Sequence, residues 1–372
     1  MLESGRALII GGGIAGLTAA IALRKQGFDV ELIERDPDPT VHGVGIIQQS
    51  NVVRAVAELD ILDDYLKAGF GFDRVDVYLP DGSHAASIPS PTLAPGYPAN
   101  VGIGRPALHK VLEQRATKAG ARIHLGVIAE TLVDDGDGVD AWFSDGREER
   151  FDFVVGADGL YSTTRQWLFP QAPLPQATGQ SVWRYNFDRS EDVTSLWAFE
   201  GRIGIGLVPL SPERMYMYVT TAEPSDKRFA REGLAQAMRE RLSEAPPRIA
   251  ALASQISRDD EVVYKPLEWL LLSGPWHSGR IVLIGDAVHA STPHLGQGAG
   301  MAIEDSLVLA DELARASSPQ VAFQAFRDRR FERCRYIVER SVALGDGQIG
   351  KGPRVEQGQA SREMFEIIAR PI

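Results

Sequence analysis

Cysteine is almost absent from this 372-residue chain: Cys334 stands alone, so neither an internal disulfide nor a cysteine-cluster metal site can form. That scarcity fits a reducing compartment, and the cytoplasm is the expected location. Basic residues are outnumbered, 39 Lys and Arg against 50 Asp and Glu, and the formal charge of −11 repels a phosphate backbone. No nucleic-acid partner is expected. Long apolar runs are missing too. Residues 7–23, ALIIGGGIAGLTAAIAL, hold one polar side chain, Thr18, but these 17 residues fall short of the roughly 20 that cross a bilayer. Three consecutive glycines also break the stretch at its middle, which excludes the apolar centre of a secretion signal despite Arg6 in front and Thr18-Ala19-Ala20 behind.

What is there is a strand over 6–10, a tight glycine turn, and a helix over 14–26 closed by Gly27. DVELI at 29–33 reads as a second strand that delivers Glu34, Arg35 and Asp36 to its carboxyl end, completing a βαβ unit. The length favours two packed domains over a single core. The pattern predicts a helix over 50–68, β structure over 73–92 leading into PSPTLAPGYP, and an amphipathic helix over 105–119 with Leu108, Val111, Leu112 and Ala116 at helical spacing. Strands follow over 122–126, 139–143 and 151–156. From Ser181 to Thr221 short alternating stretches such as SVWRYNF and MYMYV predict an antiparallel sheet outside the first core. Helical segments over 226–243 and 246–257 precede GRIVLIGDAVHASTPHLGQGAGMAIEDSLVLADEL, a strand, loop and helix. A helix over roughly 319–345 follows.

The turn Gly11-Gly12-Gly13-Ile14-Ala15-Gly16 fits G-x-G-x-x-G. Gly11 permits the tight turn, Gly13 lets backbone approach a pyrophosphate, and Gly16 lets helix pack against strand, while the helix N-terminus offers N–H groups to phosphate. Glu34 ends the next strand 18 residues after Gly16, close to the spacing of about 20 for the acid that binds ribose hydroxyls. An acid there favours a dinucleotide with a free 2′-OH, so FAD and NAD are both preferred over NADP. Ile14 and Ala15 in the turn, and Arg35 beside Glu34, join the expected cofactor set.

Two downstream stretches separate FAD from NAD. DFVVGADGLYSTTR at 152–165 and GRIVLIGDAVHASTPHLGQGAGMAIED at 279–305 resemble the DG and GD motifs of the class A flavoprotein monooxygenases, the family of salicylate hydroxylase and p-hydroxybenzoate hydroxylase. The three motifs stand in the family's order and cover essentially the whole chain. The resemblance implies an α/β fold: a Rossmann-like FAD-binding domain over 1–72, 97–178 and 274–318, a substrate-binding antiparallel-sheet domain over 73–96 and 179–273, and a C-terminal helical segment over 319–372. It implies that Asp286, eased by Gly285, contacts the FAD ribityl or pyrophosphate and that Pro293 lies near the flavin edge. Gly298, Ala299 and Gly300 would start a helix whose N–H groups face the flavin pyrimidine, where negative charge develops on reduction. Arg105 matches the family arginine that reaches the flavin and pyrophosphate region. Asp158 is implied to serve FAD and NAD(P)H, with Ser162 and Arg165 supporting its loop.

The chain departs from many members in having Ala299-Gly300 where an Asn follows the GQG turn, and VHGVGIIQQSN lacks the arginine some hydroxylases carry there. No thioredoxin-like extension of the phenol-hydroxylase kind and no halogenase W-x-W-x-I-P segment is seen. Trp183, Tyr185 and Phe187 form an aromatic stripe that reads as core packing, although in this family the sheet roofs the substrate pocket. Tyr185, Gln48 and His294 are therefore candidate substrate contacts. His289 and His294 also read as packed or solvated histidines, and no cluster has metal-ligand spacing. The implied activity is FAD-dependent hydroxylation of a small aromatic or heteroaromatic compound using NADH or NADPH and O2, through a flavin C4a-hydroperoxide. An epoxidase, a Baeyer–Villiger-type enzyme and a flavin-binding protein without turnover remain the alternatives. No catalytic side chain is assigned, and monomer and homodimer both stay open.

Overall fold

The computed structural model describes residues 5–38, 43–201, 203–224 and 227–372. The chain opens on β1 (Arg6–Ile10), α1 (Ile14–Lys25) and β2 (Asp29–Glu34). Ala7, Leu8 and Ile9 are fully buried, as a parallel strand covered on both faces requires. α1 ends where Gly27 takes φ +93, a left-handed conformation open to glycine.

After β3 (Gly45–Gln48), the helix expected over 50–68 is split into α2 (Ser50–Glu58) and α3 (Leu62–Ala68). The break falls at Asp60, whose φ of 58 makes it the one left-handed non-glycine among the described residues. Next come β4 (Gly69–Phe72), β5 (Arg74–Tyr78), β6 (His84–Pro89), β7 (Asn100–Gly104), α4 (Arg105–Lys118) and β8 (Arg122–Leu125). A meander of β9 (Ala129–Asp134), β10 (Val139–Phe143) and β11 (Glu148–Phe151) leads to β12 (Phe153–Gly156) and α5 (Thr163–Leu168).

The alternating region forms β13 (Gln176–Asp188), β14 (Leu196–Phe199), β15 (Gly204–Pro209) and β16 (Arg214–Ala222). Then follow α6 (Leu234–Arg241), α7 (Pro247–Ala253) and β17 (Val263–Trp269). Of the helix expected over 226–243, residue 226 lies outside the described residues, and the helix itself begins only at Leu234. The chain returns through β18 (His277–Ser278), β19 (Ile281–Leu283), α8 (Asp286–His289) and α9 (Gly298–Arg315), then adds α10 (Pro319–Gln348) and α11 (Gln357–Ala369).

Two large sheets result. The six-stranded sheet has the order β18-β19-β12-β1-β2-β8, parallel except at β18. The seven-stranded sheet, β17-β13-β16-β15-β14-β5-β6, is antiparallel except where β14 meets β5. One large core joins β1, β2, β12 and β19 to α1, α9 and α10, and a separate core joins the outer face of the seven-stranded sheet to α6 and α7. This is the expected α/β class, a Rossmann-like sheet beside an antiparallel one. Among the described residues no helix is long and apolar enough to cross a membrane.

Candidate cofactor and substrate cleft

The glycine turn is built by contacts only glycine permits. A Cβ on Gly16 would lie 1.9 Å from the Gly11 carbonyl oxygen, and one on Gly11 would lie 2.5 Å from that of Ala157. Gly11 also holds φ +110. Gly13 differs: nothing lies within 4 Å of its Cβ position, so backbone there is open to a ligand. Ile14 and Ala15 begin α1 directly behind it. Glu34 reaches this turn, its Oε2 accepting from the Gly12 N–H at 2.6 Å and its Oε1 from the Asp36 N–H at 2.9 Å. Arg35 is exposed next to it. His109, which sequence reasoning missed, places Nε2 2.9 Å from the Gly12 carbonyl oxygen.

The GD loop meets the turn from the other side. Gly285 takes φ +62, and its Cβ position lies 3.0 Å from that of Ala15, so the two loops touch. Asp286 then starts α8 with a solvent-accessible side chain. Protein nevertheless surrounds its carboxyl and pushes its pKa up, against the pull of His289, Arg105 and Lys265. Pro293 begins a short 3-10 turn, and Gly298, Ala299 and Gly300 form the first turn of α9. No atom lies within 4 Å of a Cβ position on Gly298, which leaves that helix end uncovered.

Asp158 lies against the turn through its backbone, 3.2 Å from a Cβ on Gly11. Its carboxylate faces its own loop, accepting from the Ser162 hydroxyl at 2.5 Å and from the Thr164 N–H and hydroxyl at 2.9 Å. Ser162 caps α5 through the Arg165 N–H. Buried Arg165 donates to the carbonyls of Ala287 and Leu160, each at 2.8 Å, and so ties the DG loop to α8.

Beneath the GD loop runs a buried ionic network that the sequence did not disclose. Asp305 Oδ2 accepts from the Gly285 N–H at 2.9 Å and lies 2.6 Å from His289 Nε2, while Oδ1 accepts from Arg330 at 2.8 Å. Glu304 accepts from Arg330 at 2.7 Å, Arg333 at 3.0 Å and Asn51 at 3.1 Å, and Asn51 continues to Gln297. Burial works against the charge on His289, but Asp305 outweighs it and holds the imidazole well above its ordinary pKa. Cys334, His289 and Asp305 bring ligand atoms within 4.8 Å of one another. Both Asp305 oxygens are already engaged, which argues for an ion-pair cluster over a metal site.

The inner face of the seven-stranded sheet packs against Val44 and Ile47 and brings Lys265 within electrostatic reach of Asp286, and here one expectation is corrected. Tyr185 lies on the outer face with Trp183 and Phe187, packed in the core that includes Met238 and Leu252, because side chains alternate along β13. The aromatic stripe is core, and Tyr185 is no cleft residue. Arg184 and Asn186 take the opposite face. Burial lowers the Arg184 guanidinium to about 10, with Tyr216 and Arg105 within electrostatic reach. Lys265 is also lowered, by the protein around its amine beside Arg105, Arg184 and Asp286, although the side chain as a whole is exposed. Gln48 is buried with neither amide atom hydrogen-bonded among the described residues. His294 Nδ1 lies 3.0 Å from the Thr292 hydroxyl, its Nε2 makes no well-formed hydrogen bond among the described residues although the Gln348 side chain is near enough to pull the other way, and burial depresses the ring to about 4, so it is neutral near pH 7.

This arrangement fits FAD. Open backbone at Gly13, an uncovered α9 N-terminus, the Glu34 carboxylate at the turn and the Arg105 cation are the donors and acceptors that a pyrophosphate, a ribose and a flavin require.

Comparison with known proteins agrees. Residues 5–341 match the FAD binding domain family FAD_binding_3. The chain is 33% identical over 346 residues to the 2-heptyl-3-hydroxy-4(1H)-quinolone synthase of Pseudomonas aeruginosa, covering 91% of this chain and 88% of that one. It is 33% identical over 352 residues to the aurachin C monooxygenase/isomerase of Stigmatella aurantiaca, covering 92% and 89%. The fold matches that of Klebsiella pneumoniae HpxO complexed with FAD and uric acid at a TM-score of 0.81 and 24% identity, over 98% and 92% of the two chains. Fold and cleft thus define an FAD-dependent monooxygenase of the p-hydroxybenzoate hydroxylase-like fold. The chain belongs to the class A FAD-dependent aromatic monooxygenase family.

Proposed function

We propose that this protein hydroxylates a small aromatic or heteroaromatic compound in the cytoplasm, using NADH or NADPH and O2, with FAD held non-covalently. The observation that supports this reading is the contact of the glycine turn with the GD loop at Ala15 and Gly285, with backbone left open at Gly13 and at Gly298 where α9 starts. Bound FAD supplies the redox and oxygen chemistry. The chain's own groups bind, orient and shield. Gly13 and the first turn of α1 receive the pyrophosphate, Glu34 the ribose hydroxyls, and Arg105, Gly285 and Asp286 the middle of the cofactor. Pro293, Gly298, Ala299 and Gly300 border the flavin ring, with the α9 N–H groups set against negative charge there. Gln48, whose buried amide atoms have no hydrogen bond among the described residues, and His294, whose buried Nε2 has Gln348 beside it, offer neutral hydrogen bonds to substrate. Asp158 acts through its loop, since its carboxylate is already bonded within it.

In this reading residues 1–72, 97–178 and 274–318 bind the cofactor, 73–96 and 179–273 cover the substrate, and 319–372 brace the cofactor side. The two distinct hydrophobic cores support that division. The test is a screen of the FAD-loaded protein with NADH and NADPH against 4-quinolones, hydroxybenzoates, hydroxypyridines and phenols. Stimulated NAD(P)H oxidation with a product heavier by one oxygen atom is expected. Bound FAD with no compound stimulating oxidation would leave a flavin-binding protein without turnover.

A further inference from the structure

A second cavity lies away from the cofactor site, between the β9–β11 meander, α5 and the start of β19. It encloses about 290 Å³, close to the lower bound of roughly 300 Å³ for small-molecule sites and enough for a one-ring compound. Ile281, the first residue of β19, lines this cavity, whereas Gly285 beyond the other end of that strand meets Ala15 of the glycine turn. Three strand residues span roughly 10 Å, which sets the two places apart.

Leu132, Leu168 and Ile281 make the sides of the cavity apolar, and Trp167 forms a further wall with its ring 41% exposed. Arg241 stands over Trp183 and Arg248 over Trp197, but no cation or ring among the described residues covers Trp167. Asp134 is the one charged residue that lines the cavity. Its carboxylate is held in place, Oδ1 accepting from the Gly136 N–H at 2.9 Å and Oδ2 from the Arg280 N–H at 2.6 Å. Gly279 takes φ +53, and a Cβ there would lie 2.0 Å from Oδ2, so glycine is what admits the carboxylate. The nearby cations are engaged elsewhere. Arg150 pairs with Asp135 and Asp140, and the Arg280 guanidinium turns to the carbonyls of Gly136 and Asp152. Asp134 therefore has no ion pair among the described residues, and each of its oxygens keeps a lone pair for another donor.

We propose that this cavity binds a small organic ammonium, a protonated amine on a one-ring or short apolar body. The ammonium pairs with Asp134 while the body lies against Trp167 and the apolar sides, and a cation near that ring face gains further attraction. An anion of the same size is repelled by the carboxylate, and a neutral compound leaves it without a counter-ion. The site stands apart from the monooxygenase reading and does not rest on it.

The experiment is calorimetric titration of the FAD-loaded and FAD-free protein near pH 7 with benzylamine and benzyl alcohol, which match in ring and size and differ in charge. Benzylamine should bind about tenfold more tightly than the alcohol, the worth of one charge-assisted hydrogen bond at its lower end. Asp134→Asn should erase that preference. Trp167→Ala, a substitution at an exposed ring, should weaken benzylamine roughly two- to fivefold. Thermal melting checks that each variant is folded, and Trp167→Ala decides alone if Asp134→Asn is not. Equal binding of the two probes, no benzylamine heat at millimolar concentration, or benzylamine affinity unchanged in either folded variant would overturn the proposal. So would benzylamine binding that disappears when FAD is loaded, which would place the amine in the cofactor cleft.

Discussion

His289 Nε2 lies 2.6 Å from Asp305 Oδ2, and both side chains are wholly buried. The same carboxylate holds the Gly285 N–H and Arg330, so one acidic side chain fixes the loop, the short helix behind it and α10. Asp305→Asn keeps the shape but removes the charge that compensates His289 and Arg330. Breaking a buried pair this way costs about 3–5 kcal/mol. Urea denaturation should show a loss of that order, and a change within ordinary surface-mutation scatter would mean the network relaxes freely.

The His289 pair also makes stability depend on pH. Its folded pKa is raised above the unfolded value of about 6.5, so its contribution is complete below that pH and drains away as pH rises through the folded value. Asp305 is shifted the other way, held low by His289 and Arg330 against burial. Its share is present above about pH 3.9 and is lost as pH falls through the lowered value. His289→Gln should flatten the alkaline limb of a stability-against-pH curve and leave the acid limb in place. Two unchanged limbs would show that His289 is neutral in the folded protein.

The glycine turn separates packing from binding. Gly16→Ala drives a methyl to within 1.9 Å of the Gly11 oxygen and should lower the melting temperature of the FAD-free protein. Gly13→Ala meets nothing within 4 Å, so the FAD-free protein should melt as wild type does while FAD affinity falls. Equal FAD affinity in Gly13→Ala would place the pyrophosphate elsewhere.

Asp286 and His294 border one cleft but should fail differently. Asp286→Ala should lose bound FAD, whereas His294→Ala should retain it. Burial depresses His294 to about 4, so it is expected to add no titration to a rate profile between roughly pH 6 and 8. Quantifying FAD, NAD(P)H consumed, product and hydrogen peroxide for both variants checks this. If His294→Ala reduced flavin normally but released peroxide in place of product, His294 would be a substrate-positioning residue.

The first βαβ unit was legible because its code is local: an apolar strand, glycines at fixed offsets and an acid at the next strand's end. α4 and α9 announced themselves through helical periodicity and a motif. The small sheet β3-β7-β4 did not, since GFGF and NVGIG carry few of the β-branched residues that mark a strand and are held by long-range pairing. Alternation shows the Trp183, Tyr185 and Phe187 stripe without saying which side faces the cofactor, so core packing and substrate contact are both readable for Tyr185 until its neighbours, among them Met238 and Leu252, decide for the core. Arg184, the lone charge interrupting SVWRYNF, was the available signal. The Asn51–Glu304–Arg330 connections join positions too distant in sequence for any pattern to link.

One contact sets a schedule for the living cell. Thr18 Oγ1 in α1 bonds Ser306 Oγ in α9 at 2.8 Å across 288 residues of chain. At a translation rate of about 5–20 residues per second, roughly 15–60 s pass between the ribosome's delivery of the first partner and the second. For that interval the side of α1 that carries Ala15 and Thr18 waits without its eventual neighbour. Cofactor loading is thereby a late event in the protein's life, and the nascent amino-terminal segment is the part with most need of a chaperone's cover.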